Sequence, residues 1–433
     1  MKKINIITLG CSKNIVDSEH LMAQLAKVGY NIVFDSDSLD AEIVIINTCG
    51  FIGDAKEESI NLILNAVNAK DEGYIEELYV VGCLSERYAN ELRDEIPEVD
   101  QYFGVRNWED VVAKLGGEHD ASLETTRVLT TPDHYAYLKI SEGCNWRCGY
   151  CAIPLIRGKH ISVPMEALVE EAEKLVAQGV KELIIIAQDT TYYGKDIYGE
   201  RKLAELLRRL CRVDGVEWIR LHYAYPTAFP QDVIDVMASE PKICKYLDIP
   251  FQHISDSQLS SMKRRHTKAE AMDLIERLRR SIPDIALRTT LLVGYPGETE
   301  GDFEELVEFV KEVRFERLGV FAYSEEEGTY SATLEDDVPQ KVKDARAEKI
   351  MLIQNQISLE NNLKREGSIV RVIMDSQSGD FYTTRSQYDS PEVDQEILIP
   401  VGEGKPLSRG CFYDVKITEA EDYDLYGEVV SED

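Results

Sequence analysis

Cys144-Asn-Trp-Arg-Cys148-Gly-Tyr-Cys151 places three thiols in one short loop with no matching fourth cysteine nearby. A structural zinc site closes its tetrahedron with four protein ligands, and a plain 4Fe-4S electron carrier uses four thiolates. Three thiolates on a cluster leave one iron open to another ligand. Two plainer readings stand beside this one: a zinc site completed by His160, and reduced thiols in a loop. The soft donor set and its count favour iron-sulfur chemistry.

A second trio is spread over the first hundred residues. Lys3 to Leu9, Glu42 to Ile46 and Glu77 to Val81 are short β-branched runs that read as buried strands, and each is followed within a few residues by a cysteine: Cys11, Cys49 and Cys83. Helical patterns lie between them, from Val16 to Val28 and from Ala55 to Ala69. Strand, helix, strand, helix predicts a parallel sheet, whose carboxyl strand ends share one edge. The three cysteines then converge, and Gly10, Gly50 and Gly82 suit a chain turning beside a bulky inorganic group. The alternative is three unrelated buried cysteines.

The elements that must position the first trio begin near Tyr137. A strand from Tyr137 to Ser141 delivers the chain to Cys144, and the helix Pro164 to Gln178 and strand Leu183 to Ala187 follow. The alternation continues through strands at Trp218 to Tyr223, Tyr246 to Ile249, Ala286 to Val293 and Arg317 to Tyr323, with helices between them. Six units are too few for a closed eight-stranded barrel and predict an open partial (β/α)6 barrel with its chemistry at the carboxyl strand ends. Gln340 to Lys364 reads as a long polar helix leading away from it. From Ile369 onward, short alternating strands predict a small antiparallel β-barrel. The expected fold is α/β multidomain, divided as 1–118, 130–361 and 364–433.

Composition fits a cytoplasmic enzyme. The start runs straight into a strand pattern, with no secretory signal and no apolar run of membrane-spanning length. Nine cysteines are too sparse for a disulfide scaffold, and Cys211, Cys244 and Cys411 read as structural. A formal net charge of −31 argues against nucleic acid and for a basic protein partner. Residues 362–433 carry seven basic and sixteen acidic side chains, a poor RNA clamp.

The spacing of the cysteine loop, with an aromatic before its last cysteine, resembles the cluster loop of the radical S-adenosylmethionine (SAM) enzymes. Its continuation, Ala152-Ile-Pro-Leu-Ile-Arg-Gly-Lys159, resembles the methylthiotransferase branch, and the C-terminal barrel resembles the TRAM domain of that branch, with Thr384-Arg385-Ser386 at a turn between strands. Leu9-Gly-Cys-Ser-Lys-Asn-Ile-Val-Asp-Ser-Glu19, Asn47-Thr-Cys-Gly-Phe-Ile-Gly-Asp-Ala-Lys-Glu-Glu-Ser59, Ala187-Gln-Asp-Thr-Thr-Tyr-Tyr-Gly194 and Leu247-Asp-Ile-Pro-Phe-Gln-His-Ile254 are similar to the ribosomal-protein, RimO-type branch. Ser12 stands where that branch commonly has proline.

The resemblance implies two 4Fe-4S clusters, one on Cys144, Cys148 and Cys151 and one on Cys11, Cys49 and Cys83, each with an open iron. It implies SAM as both radical source and methyl donor, and methylthiolation of the β-carbon of an aspartate in small-subunit ribosomal protein twelve, free or in the subunit. An electron donor such as flavodoxin or ferredoxin is expected, and direct tRNA binding is not. The resemblance lays Tyr150 along the adenine, with loop packing as its plainer role. Gln188, Asp189, Gln252, His253 and Gly294, at strand ends, are cofactor or substrate contacts or else loop-stabilising groups. Tyr295-Pro-Gly-Glu298 cradles the cofactor or simply turns the chain. The other function readings are methylthiolation of a modified adenosine in tRNA, and a non-catalytic iron-sulfur or RNA-binding adaptor.

Overall fold

The computed structural model describes residues 2–36, 41–402 and 406–432. The N-terminal sheet contains β1 (Lys3–Thr8), β2 (Asn31–Phe34), β3 (Ile43–Thr48), β4 (Glu77–Gly82) and β5 (Gln101–Tyr102), all parallel in the order β2-β1-β3-β4-β5. Every residue of β3 is buried, as expected of a central strand covered on both faces. Ile4, Ile6, Ile43 and Ile45 pack on Leu21, Met22 and Leu25 of the helix Ser12–Val28. Val44, Ile46, Leu78 and Val80 pack on Ile63, Ala66 and Val67 of the helix Gly53–Asp71. Chain order reverses between β1 and β3, and the crevice beyond their carboxyl ends is where such sheets bind ligands.

The central sheet begins with β6 (Tyr135–Lys139). The cysteine loop follows, pinched at its base by the antiparallel ribbon β7 (Ser141–Glu142) and β8 (Ile161–Ser162). Next come β9 (Glu182–Ile186), β10 (Trp218–Leu221), β11 (Ile243–Asp248), β12 (Ala286–Val293) and β13 (Arg317–Ala322). The six large strands are parallel and adjacent in chain order, β6 and β13 forming the open edges. Alternation sorts the two faces: Ala136, Leu138, Leu183 and Ile185 enter the large core beneath the outer helices, whereas Tyr135, Tyr137, Ile184 and Ile186 face inward. Val16 of the first helix seals that inner group, so the N-terminal domain covers the carboxyl end of the sheet.

The helix Gln340–Leu363 does not lead away from the sheet. Ile350 and Ile357 join the large core, and Gln354 donates to the Phe315 carbonyl at 2.9 Å. Polar residues mask its buried stripe in the sequence, and Lys343, Arg346 and Gln354 each hold at least one hydrogen bond inside. The C-terminal domain is a closed barrel of β14 (Ile369–Ser378), β15 (Phe381–Ser386), β16 (Ile397–Pro400), β17 (Phe412–Ala420) and β18 (Leu425–Glu432), in the order β14-β15-β16-β18-β17. A ring of five strands cannot alternate direction throughout, and the parallel pair is β16 with β18. Thr384-Arg385-Ser386 is not a turn but the buried end of β15. Arg385 reaches Glu182 on the inner face of β9 at 2.5 Å, and Arg220 of β10 meets the same carboxylate at 2.8 Å, tying the barrel to the central sheet.

Candidate active site

Cys11 precedes the helix Ser12–Val28, Cys49 leaves β3, and Cys83 opens the helix Cys83–Glu95. Gly10, at φ +95°, is pressed so closely on Cys49 that an added Cβ would stand 2.9 Å from its Sγ. Gly50 is packed in the same way against Leu84, where a Cβ would fall 2.7 Å from the backbone N. The glycines therefore let the three loops close on one another. Ser59 Oγ accepts from the Cys49 N–H at 3.1 Å and holds that loop to the helix behind it. Burial pushes the Cys83 thiol up to about 12 and raises Cys49, the nearby Cys11 raises both further, and the Arg157 guanidinium opposes the shift in each. Metal binding must displace those protons.

In the second trio, Cys144 donates its N–H to the Gly158 carbonyl at 3.0 Å, and Gly149 donates to Met262 at 2.7 Å, which fixes both ends of the loop. Burial raises Cys144 and pushes Cys151 up to about 12. Arg264 Nη1 lies 3.6 Å from Cys148 Sγ, and its guanidinium is 4.2 Å from the Tyr225 ring centroid. Tyr225 stacks on Trp146 with centroids 4.2 Å apart, and Trp146 donates to Asp189 at 2.6 Å. A fixed cation thus stands beside a group that becomes a thiolate. Arg264 carries no local sequence signal, because its partners are distant in the chain.

Among the described residues, no group of three or more His, Cys, Asp or Glu forms a single-ion site. His160, the ligand a zinc reading needs, is turned to Ser162 Oγ at 2.9 Å and packs edge-on to Tyr192. Three soft thiols at each place, glycine cradles and an adjacent guanidinium fit a cluster in which each thiolate holds its own iron.

Arg157 joins the two trios. Six residues beyond Cys151, it is 2 % exposed, meets Asp17 at 3.2 Å and Glu142 at 2.8 Å, and donates to Asn14 Oδ1 at 2.5 Å. Asn14 Oδ1 is in turn 3.8 Å from Cys83 Sγ. Cys83 packs with Ala152 and Ile156, immediately after the cysteine loop. Beside this junction is a cavity of about 250 Å³ walled by all three domains, including Cys11 and Ser12, then Tyr137, Tyr223 and Arg288, and finally Glu392. Glu392 accepts from Tyr135 at 3.0 Å, so the barrel domain contributes a wall that sequence patterns did not reveal.

The remaining expected contacts divide. Tyr150 packs with Met262, Tyr295 and Tyr323, its hydroxyl 3.4 Å from Arg264. Gln188 donates to Glu142 at 2.7 Å, leaving its buried carbonyl oxygen without a protein partner. Gly294, at φ +72°, gives its N–H to Glu298, and a Cβ there would stand 2.2 Å from the Lys343 side chain. Asp189 caps the turn at Thr191, and His253 Nδ1 accepts from the Ser255 N–H at 3.0 Å. Gln252 continues the ladder towards β12. Cys211, Cys244 and Cys411 lie in or against hydrophobic clusters away from both trios.

Comparison with known proteins gives three family matches along the chain. Residues 3–104 match the Uncharacterized protein family UPF0004, residues 138–310 the Radical SAM superfamily and residues 367–430 the TRAM domain. The chain is 56 % identical to the ribosomal protein uS12 methylthiotransferase RimO of Phocaeicola vulgatus, with 99 % of each chain covered. Its identity to the enzymes of that name from Bacteroides fragilis and Porphyromonas gingivalis is 54 %, again over 99 % of each chain. The chain belongs to the RimO family. RimO membership makes it a radical SAM enzyme with 4Fe-4S clusters and SAM as its cofactors. Among solved structures, the radical SAM methyltransferase TsrM from Kitasatospora setae shares the fold with TM-score 0.55 and 14 % identity, over 74 % of this chain and 75 % of that one. The cobalamin-dependent SAM radical enzyme OxsB gives TM-score 0.52 and 12 % identity, over 82 % of this chain and 56 % of that one.

Proposed function

We infer that this chain attaches a methylthio group to the β-carbon of an aspartate in ribosomal protein uS12. The observation that carries the reading is the Arg157 node, which brings Cys83 of one trio against the segment leaving the other. Full-length similarity to enzymes named for that substrate supports the same reading over the tRNA and adaptor alternatives.

When bound, SAM and the two clusters supply the one-electron cleavage, the methyl group and the sulfur handling. The protein's part is to hold, orient and enclose. Cys144, Cys148 and Cys151 would hold the cluster that receives SAM, and Cys11, Cys49 and Cys83 would hold the other. Arg264 offsets the negative charge beside Cys148. Tyr150 would lie beside the nucleoside, and the Gln188 carbonyl and the Gly294 carbonyl would be acceptors for SAM at the strand ends. The unpartnered Gln188 oxygen supports its assignment. For Gly294 only the carbonyl is offered, since its N–H serves Glu298.

The division at 1–118, 130–361 and 364–433 is supported by every sheet and the barrel falling wholly within one part. Flavodoxin or ferredoxin supplies electrons, uS12 is met free or in the subunit, and the site of action is the cytoplasm. Among the described residues no helix is long and apolar enough to cross a membrane. The acidic C-terminal domain supports attraction of a basic ribosomal protein and repulsion of tRNA. Anaerobic reconstitution with iron and sulfide, followed by mass analysis of uS12 and of tRNA, tests the assignment. A methylthio gain on one uS12 aspartate is expected; modified adenosine with unmodified uS12 would reverse it.

A further inference from the structure

Two donors beside the three-domain cavity have no acceptor. Lys13 is 7 % exposed, and its ammonium lies 3.0 Å from the centroid of the Tyr223 ring, one of the cavity walls. Among the described residues no carboxylate or carbonyl takes a hydrogen bond or ion pair from it. A cation–π contact offsets only part of the cost of a buried ammonium, and such groups are normally paired with an anion. Next to it, Ser12 Oγ is buried without a partner while Ser12 lines the cavity.

The other charged side chains and His222 on these walls each have partners. Arg288 faces Asp248 at 3.4 Å and Asp394 at 3.3 Å. Glu392 accepts from Tyr135 and Tyr137. His222 bonds Ser390 at 2.9 Å, and burial together with neighbouring cations, Lys13 among them, keeps its imidazole neutral. Among the described residues, Lys13, against the ring of the wall residue Tyr223, and Ser12, on the wall itself, are therefore donors without an acceptor, while Glu392 has hydroxyl partners and no cation. Both donors belong to the first turn of the helix Ser12–Val28, where Cys11 supplies no side-chain cap and the free N–H groups add to the field that favours an anion.

Resting on the uS12 reading, we propose that Lys13 and Ser12 receive the carboxylate of the aspartate that is modified. The ammonium and hydroxyl each donate to a carboxylate oxygen. That would set the neighbouring β-carbon beside Cys11, at the mouth of the first trio. Selection of aspartate over its neutral isostere follows, because an amide offers the buried ammonium no charge.

The test uses holoenzyme reconstituted with both clusters and two labelled peptides spanning the uS12 target loop, one with aspartate and one with asparagine at the target. Wild type is expected to bind the aspartate peptide about tenfold more tightly, the scale of one charge-assisted hydrogen bond. Lys13→Met and Lys13→Gln should erase that preference while retaining full iron. A preserved preference in either variant overturns the proposal, as does iron loss, which would show that the ammonium serves the cluster. If one variant fails to fold, the other carries the comparison, and equal binding of the two peptides by wild type is contrary on its own. Wild type that binds neither peptide points instead to failure of the uS12 reading.

Discussion

The guanidinium of Arg157 lies 3.2 Å from the carboxylate of Asp17, a contact between the segment leaving one cysteine trio and the helix that begins beside the other. Asp17 also pairs with Lys139, and Glu142 pairs with both cations, so two acids and two bases share one buried node. Removing one member leaves the others as uncompensated buried charge, the costly case for an interior ion pair.

Arg157→Met is accordingly expected to lower stability by about 3–5 kcal/mol. Denaturant unfolding of the apoprotein measures it. A change within about 0.5 kcal/mol, the size of an ordinary surface substitution, would show that the node does not bind the domains together.

Gly10→Ala places a methyl group 2.9 Å from Cys49 Sγ at a residue with φ +95°. Backbone strain of about 1–2 kcal/mol adds to the clash. The first trio should lose its cluster while the second keeps it, so reconstituted iron should fall to about four per chain. Unchanged iron and sulfide would contradict the cradle.

Glu182, Arg220 and Arg385 are buried together where the C-terminal barrel meets the central sheet. Arg385→Met should cost about 3 kcal/mol. It should also loosen the barrel, read as new protease cleavage between the helix Gln340–Leu363 and β14. Cleavage no faster than in wild type counts against this attachment.

His253 gives a dependence on pH. Burial pulls its imidazole down to about 4, against about 6.5 in an unfolded chain. Between these values the unfolded state takes up a proton that the folded state refuses, so stability falls as pH drops from about 6.5 to 4, by about 3 kcal/mol from this group. His253→Asn keeps an acceptor for the Ser255 N–H and should flatten that slope. An identical stability profile in the variant would mean that His253 titrates freely when folded.

The regular elements were legible in the sequence because their periods are local. The run at Ala286 to Val293 has the bounds read from pattern alone, and each cysteine of the scattered trio could be placed at a strand end. What escaped depends on residues far apart. Arg157 is 140 residues from Asp17, and Glu392 is 257 from Tyr135. No periodicity reports such pairs. Arg385 read as part of a turn because polar residues seldom end a buried strand, and only Glu182, in another domain, makes that burial tolerable. Lys13 lay in plain view within the motif around Cys11, but its lack of a partner is a three-dimensional fact.

The most direct test of the paired-cluster account is iron and acid-labile sulfide per chain after anaerobic reconstitution, in wild type, a Cys11/Cys49/Cys83→Ala triple variant and a Cys144/Cys148/Cys151→Ala triple variant. Two independent three-thiolate clusters predict about eight irons in wild type and about four in each variant. About four in wild type, with one triple variant unchanged, would contradict it.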